Sequence, residues 1–170
     1  MLETKRLYLK NWEAEDAPAF FRLTQSPHVL PAAGCPPTKD EEAALQALHE
    51  DYSAKEEYKL VLKDSGKIIG SIGLRFGEDA CSESFQEPEV GFWLGEAFQG
   101  CGYASEALEA ILRHAREDLR CPAVWGCHYE KNHRSARLLE KFGFALVRVN
   151  PQEDTRLGYT LPEAEMRLAF

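Results

Sequence analysis

The chain has 170 residues, 44% of them hydrophobic and 28% charged, and a formal net charge of −8. This length predicts one compact domain over residues 1–170, whose core needs no covalent or metal staple. Without a run of about 18 apolar residues or a secretory signal, the sequence predicts a cytoplasmic protein that does not enter membranes. The negative charge disfavours nucleic acid as a partner. Two interpretations of the negative charge remain: it keeps the protein soluble, or it attracts a cationic molecule.

The number and spacing of the cysteines predict that all of them are reduced thiols. They are odd in number and contain no Cys-x-x-Cys pair, which argues against a disulfide framework and against a zinc knuckle. One of them, Cys127, is followed by His128, but neighbouring residues on a strand point to opposite faces and do not readily share an ion. No metal site is therefore predicted. The five are Cys35, Cys81, Cys101, Cys121 and Cys127.

In the first half of the chain, alternating apolar and polar residues predict a strand over residues 5–11. Asp16 is placed to cap a helix that ends before Pro27. Thr38 and Glu41 have the spacing of a capping box for a second helix that reaches about residue 52. Two strands, over residues 58–63 and 67–76, are predicted to form a hairpin around the turn at residues 64–66.

The second half alternates strands and helices after a polar, irregular segment over residues 77–88. Strands followed by two strand–helix crossovers predict a mixed α/β or α+β sheet with helices on its faces. The predicted elements are a strand at 89–94, a helix at 105–117, a strand at 122–129, a helix at 135–142 ended by Gly143, and strands at 144–149 and 165–170.

Residues 98–105 are a glycine-rich connection between a predicted strand and a predicted helix. Glycines permit a close backbone approach, and the free amides of the helix start attract anions, so a pyrophosphate cradle is one interpretation. A glycine turn without a ligand is the other. No lysine follows Gly102, which excludes a P-loop. Gly100, Gly102 and Ser105 match a dinucleotide fingerprint only imperfectly.

Two motifs carry a resemblance to a known family. Gln99, Gly102 and Ala104 form Gln-x-x-Gly-x-Ala after the strand at 89–94, and residues 132–144 form an Asn-x-x-Ser helix closed by Gly-Phe. Together they resemble the GNAT superfamily of N-acetyltransferases, most closely its ribosomal-protein N-terminal acetyltransferase branch. The resemblance implies a single-domain, mostly antiparallel mixed sheet with splayed central strands flanked by helices.

The resemblance further implies acetyl-CoA as the acetyl donor and a primary amine as the acceptor. The acceptor would be a protein N-terminus or a small amine such as a polyamine or aminoglycoside. Homodimers are common among such relatives. The expected cofactor-binding residues are Phe92, Trp93, Leu94, Gln99, Gly100, Cys101, Gly102, Tyr103, Ala104, Ser105, Asn132 and Ser135.

Three residues are candidates for the chemistry. Glu89 at the start of its strand is expected to be the base, although a solvated strand-end carboxylate fits equally. Asp154, expected in the loop after the strand at 144–149, is a second candidate base, because acids near this position lie in the acceptor cleft of the resembled branch; a solvated loop charge is the other interpretation. Many relatives carry a tyrosine that acts as the general acid and protonates the leaving thiolate, but the matching position here is Leu139. Ser135 is therefore the candidate that relays a proton to the thiolate. This departure leaves open a CoA-binding module without transferase activity.

Overall fold

The computed structural model describes residues 1–170, apart from the side chain of Asp79. The elements follow the order expected from the sequence, with one short strand added at the start. The strands are β1 (Leu2–Glu3), β2 (Leu7–Asn11), β3 (Glu57–Leu62), β4 (Ile68–Arg75), β5 (Glu89–Leu94), β6 (Ala123–Tyr129), β7 (Ala145–Asp154) and β8 (Thr160–Ala169). The helices are α1 (Ala17–Thr24), α2 (Glu41–Glu50), α3 (Tyr103–Glu117) and α4 (His133–Lys141).

All strands lie in one sheet in the order β1-β2-β3-β4-β5-β6-β8-β7. Only β5 and β6 run parallel, and the other neighbours are antiparallel. The parallel pair is possible because α3 returns the chain to the same end of the sheet. The predicted mixed, mostly antiparallel sheet flanked by helices is thus confirmed.

The two faces of the sheet bury different clusters. Because strand side chains alternate between faces, Val90 and Leu94 of β5 pack with α3, while Trp93 packs on the opposite face with α1 and α2. The α3 face holds the larger core, in which Leu108 and Ile111 have no exposed surface. Among the described residues, no helix is both long and apolar enough to span a membrane.

The start of α2 differs from the sequence prediction. Its N-cap is Asp40, whose Oδ1 accepts the Ala43 main-chain N–H at 2.8 Å. The predicted capping box of Thr38 and Glu41 is wrong, because the Thr38 hydroxyl is instead engaged by the Thr24 hydroxyl at 2.6 Å. The contact with Thr24 therefore occupies the Thr38 hydroxyl, which the sequence pattern had assigned to the N-cap of α2.

The last two strands are longer than predicted. They form an antiparallel hairpin over residues 145–169, with two register shifts in β7. Strand β7 lies at the sheet edge and is polar beyond Val149. Apolar alternation therefore fails to mark its full length, since the strand is defined by its hydrogen bonds to β8 rather than by burial.

The entry into β5 is fixed by Glu87. Its carboxylate accepts three hydrogen bonds of 2.8 Å, two from the Arg167 guanidinium and one from Trp125 Nε1. These bonds lower the pKa of Glu87 to about 2. They connect the segment before β5 to β6 and β8, and so position the first residue of β5, Glu89.

Candidate active site

The central strands β5 and β6 separate after a short contact. Their pairing is limited to Glu89 with Trp125 and Val90 with Gly126, although both strands continue further. Beyond Val90, β5 keeps β4 on one side and faces an opening on the other. An edge of this kind is where an extended ligand adds like a further strand.

A cleft of about 930 Å³ lies at this opening. Most of the predicted cofactor-binding residues line it: Phe92, Trp93, Leu94, Gln99, Gly100, Gly102, Ala104, Ser105, Asn132 and Ser135. Cys101 and Tyr103 do not. The Tyr103 ring instead lies 4.3 Å from the Arg6 guanidinium carbon, and Arg6 Nη1 donates to the Cys101 carbonyl at 3.0 Å. Cys101 and Tyr103 can therefore contribute to ligand binding in the cleft only through their main-chain amides.

The glycine-rich turn presents free amides to the cleft. Gly100 and Gly102 have φ of +77° and +82°, in the left-handed region that favours glycine. Gly102 is the N-cap of α3, and it supplies no capping side chain. The first helical amides of α3 are therefore unpaired within the helix, and its dipole adds positive potential at this point. The geometry suits an anion such as a pyrophosphate.

Helix α3 is held in place by Glu106. Its Oε1 accepts from the Thr4 hydroxyl and the Arg6 main-chain N–H, both at 2.6 Å, and its Oε2 accepts from Arg6 Nε at 2.7 Å. Burial opposes ionisation of Glu106, but these hydrogen bonds outweigh it and keep its pKa below the usual value. The first turn of α3 is thereby anchored to the β1–β2 segment.

Helix α4 brings basic side chains to the same cleft, a feature that the sequence prediction missed. Arg134 and Arg137 line the cleft. Arg134 donates to Gln99 Oε1, and Lys141 Nζ lies 3.3 Å from the Ser105 hydroxyl. A chain of net charge −8 thus has a local cationic surface beside the glycine turn. The signal was present in residues 132–144, but only the tertiary structure directs these side chains toward Gln99 and Ser105.

Asn132 and Ser135, at the start of α4, also line the cleft. Asn132 is the N-cap of α4: its Oδ1 accepts the Ser135 main-chain N–H at 3.2 Å, and its Nδ2 donates to the Ala32 carbonyl at 3.1 Å. Asn132 therefore both caps α4 and lines the cleft. Ser135 is 9% exposed and lines the cleft. Leu139 is fully buried against Gly126, so that position provides no acid.

Trp93 belongs to the core on the α1–α2 face as well as to the cleft wall. Its indole stacks on Trp12 with centroids 6.2 Å apart, and Phe20 meets it edge-on at 5.5 Å. Its Nε1 donates to the Tyr52 hydroxyl at 2.9 Å. The side chain is thus fixed by packing, and the Trp93 carbonyl lies toward Gly70 of β4. The main-chain groups of its neighbours Phe92 and Leu94 are therefore the ones directed to the opening.

Two glycines on adjacent strands make room for charged side chains on this face. Gly73 and Gly91 are register partners on β4 and β5. A Cβ on Gly73 would lie 2.1 Å from the Glu57 carboxylate, and a Cβ on Gly91 would lie 2.6 Å from Arg75 Nη2. We call this surface the glycine trough. Burial raises the pKa of Glu57 to about 7, although nearby Arg75 opposes the shift.

Further carboxylates surround the trough. Glu89 is half-buried, and its Oε2 accepts the Cys81 main-chain N–H at 2.8 Å, so it is not a freely solvated strand end. Burial, followed by the charges of Glu89 and Glu153, raises the pKa of Glu163 to about 8. Glu57 and Glu163 were not identified from the sequence, because no local motif distinguishes them from solvent-exposed acids. Carboxyls with pKa values near neutrality are suited to proton transfer.

The predicted location of Asp154 is wrong. It is not in a loop but at the end of β7, where it pairs with Thr160 and is exposed. Alternation along the strand turns the preceding residue, Glu153, inward, where its charge raises the pKa values of Glu163 and Tyr129. A catalytic role for Asp154 stays a prediction, and the structure brings Glu153 rather than Asp154 toward the other acids.

Two contacts hold connecting segments together on the face of the sheet that carries the glycine trough. The Tyr129 ring lies against Gly34, where a Cβ would come within 2.5 Å of the Tyr129 hydroxyl. Arg156 holds Asp51 through two hydrogen bonds of 2.7 and 2.8 Å, which lower the pKa of Asp51. The segment over residues 31–37, the end of α2 and the β7–β8 turn are thus connected to one another and to β6.

This geometry agrees with comparisons to known proteins. The model of the acetyltransferase (GNAT) domain family matches residues 6–145, and the chain belongs to this family. It is an acyltransferase of the N-acetyltransferase class. It is 26% identical over 144 residues to YnaD of Bacillus subtilis, an uncharacterized N-acetyltransferase, covering 84% of this chain and 81% of that protein.

Two other similarities bear on the fold and on one segment. A GNAT-family acetyltransferase structure from Bacillus anthracis superposes with a TM-score of 0.85 at 18% identity, covering 99% of this chain and 97% of that one. A 53-residue stretch is 32% identical to the spermine/spermidine N(1)-acetyltransferase of Bacillus subtilis. The stretch covers 31% of this chain and 35% of that protein. The first shows the shared fold, and the second is a local likeness.

Proposed function

We propose that this protein transfers the acetyl group of acetyl-CoA to a primary amine on a cationic acceptor. The observation that carries the proposal is the splay between β5 and β6. It separates a cleft with free amides and basic side chains from a trough rich in carboxylates. An anionic thioester and a cationic amine therefore have distinct complementary surfaces that meet at one strand.

The donor half follows from the cleft. The amides from Gln99 to Ser105 would bind the pyrophosphate, with Arg134 and Arg137 adding positive charge. The pantetheine amides would pair with the free edge of β5 at Phe92–Leu94. This arrangement directs the thioester toward the point where β5 and β6 part.

The chemistry requires an unprotonated amine. Glu89 is the proposed base, directly or through water, because it begins the strand that bears the free edge. The amine nitrogen attacks the thioester carbonyl carbon, a main-chain amide of β5 stabilises the oxyanion, and the C–S bond then breaks. The proton passes from the carboxylate side to the leaving thiolate through Ser135, or the thiolate leaves unaided because its pKa is only about 8 to 9.

The acceptor class follows from the charge of the trough. Glu57, Glu89 and Glu163 interact with one arginine, Arg75, and Glu153 lies near Glu163. The carboxyl groups outnumber this arginine, and an acceptor with more than one positive charge would favour the ionised forms of Glu57 and Glu163. The local likeness to a spermine/spermidine acetyltransferase supports polyamines as the first acceptors to test. The ribosomal-protein branch, with a protein N-terminus as acceptor, stays a prediction.

The test is release of the CoA thiol in the presence of a panel of amines. Spermidine, an aminoglycoside and a peptide with a free N-terminus are compared with a small monoamine that carries no second charge. We expect the polycationic amines to give a kcat/KM at least tenfold above that of the monoamine. Equal kcat/KM values for the polycationic amines and the monoamine would contradict the acceptor class.

A second class of function predicts a different result. The buried Leu139 at the position of the family tyrosine is compatible with a CoA-binding module that has lost transfer. Such a protein would be stabilised by acetyl-CoA, by about 2.7 kcal/mol at 100 times its Kd. It would release no thiol with any amine, which would refute the transferase proposal and keep the cleft assignment.

A further inference from the structure

Three potential metal ligands meet beside the trough. The Sγ atoms of Cys81 and Cys127 are 3.0 Å apart, and the Glu89 carboxylate completes a group whose ligand atoms all lie within 4.8 Å of one another. The residues come from three separate segments: Cys81 from the connection before β5, Glu89 from β5 and Cys127 from β6. All three are half-buried, so the group is held by the fold and still open to solvent.

We propose that Cys81, Glu89 and Cys127 form a binding site for a thiophilic divalent cation such as Zn²⁺ or Cd²⁺. Two sulfur ligands and one carboxylate oxygen are a donor set that zinc accepts, at about 2.3 Å for sulfur and about 2.0 to 2.2 Å for oxygen. Sulfur ligands of a tetrahedral ion lie roughly 3.8 Å apart at that bond length, so the two Sγ atoms must separate by less than about 1 Å. The fourth position stays open.

The surroundings favour a cation over an empty thiol pair. Glu163 lies near both Glu89 and Cys127, and Glu153 adds a further carboxyl group beside Glu163. A bound cation would favour the ionised forms of these carboxyl groups and would be attracted by them. The loop that carries Cys81 is held on both sides, by the bond from its N–H to Glu89 and by Arg148 Nη2, which donates to the Cys81 carbonyl at 3.1 Å. The thiols are therefore positioned before any ion arrives.

No local pattern in the sequence indicates this site, because its two cysteines are 46 residues apart. The expectation of no metal considered Cys127 only with its neighbour His128. In the structure the His128 ring is directed to the Tyr129 carbonyl, and Cys127 meets Cys81 instead. Strand order, rather than spacing along the chain, creates the donor set.

Occupation of the site has a consequence that depends on the proposed function. A cation there would bind the Glu89 carboxylate, which is the proposed base. It would therefore inhibit acetyl transfer while leaving the acetyl-CoA cleft free. The inhibition should be relieved by a chelator.

The test uses the full-length protein, reduced with a phosphine and freed of metals, and Cd²⁺ as the probe. We expect one equivalent to bind with the ultraviolet charge-transfer band of two cadmium–thiolate bonds. C81S and C127S should each weaken binding at least tenfold, and Glu89→Gln should weaken it without removing the band. C35S and C101S are matched controls whose cysteines lie outside the group, and both should bind Cd²⁺ as the parent does.

Three outcomes would overturn the site: no Cd²⁺ binding by the reduced protein, unchanged binding by C81S/C127S, or loss of binding in the control variants. Counting reactive thiols before and after reduction detects a Cys81–Cys127 disulfide. If that bond re-forms in the presence of reductant and excludes Cd²⁺, the site is likewise refuted. Thermal denaturation verifies that each variant is folded. Because binding is read spectroscopically, the site is confirmed or refuted even if the protein acetylates no amine.

Discussion

Replacement of Gly102 by valine tests the acetyl-CoA cleft directly. Gly102 has φ of +82°, and a Cβ there would meet only Arg6 Nη2, at 3.4 Å. The cost to folding is therefore mainly conformational, about 1–2 kcal/mol for an L-residue in the left-handed region. For a domain of this size that corresponds to a loss of roughly 2–8 °C in Tm. The variant should fold.

Binding should suffer more than folding. The valine side chain would project where the pyrophosphate must approach the amides that begin α3. Hydrogen bonds to charged groups contribute about 1.5–3 kcal/mol each. Loss of two at the lower value is about 3 kcal/mol, or on the order of a hundredfold in Kd for acetyl-CoA. Isothermal titration calorimetry measures this change.

Gly158→Val is the matched control. Gly158 has a similar φ of +85°, and nothing lies within 4 Å of a Cβ built there. It is in the turn between β7 and β8, outside the cleft lining. Both variants should lose similar stability, but only Gly102→Val should lose affinity. Equal acetyl-CoA affinity in the two would refute the cradle.

Other substitutions test the remaining parts of the site. Glu89→Gln should lower kcat by about 10²- to 10⁴-fold and flatten its pH profile with acetyl-CoA affinity intact; an unaltered profile excludes Glu89 as the base. Ser135→Ala should lower kcat, not donor affinity, and full activity would mean that the thiolate leaves unaided. Gly91→Ala should displace Arg75 and raise the acceptor KM severalfold, whereas an unchanged KM would remove the trough from acceptor binding. Glu87→Gln should cost about 1 kcal/mol at neutral pH. Because its folded pKa is depressed to about 2, the stabilisation by Glu87 is complete above about pH 4.5 and is lost as pH falls toward 2. Urea unfolding at pH 7 and pH 3 measures it, and an equal cost at both values would contradict the ion pair.

The elements that the sequence predicted well have local causes. The hairpin of β3 and β4 follows from a turn at residues 64–66 between two apolar runs. The errors have causes outside the short pattern that was interpreted. Thr38 does not cap α2 because Thr24 engages its hydroxyl, and Asp154 is not in a loop because β8 pairs with it. In both cases a hydrogen-bonding partner that the local pattern does not include decided the outcome.

The sequence by itself determined the proposed acetyl-CoA cleft of this protein. The glycine turn at residues 99–105 and the helix start at residues 132–135 are contiguous, and their chemistry depends on backbone conformation and helix ends that short segments specify. Only the tertiary structure decided the acceptor half. Glu57, Glu89 and Glu163 lie on three strands that the sheet order brings to one face, and burial there raises the pKa values of Glu57 and Glu163. Burial and lateral strand order are properties of the folded sheet, and no spacing along the chain encodes them.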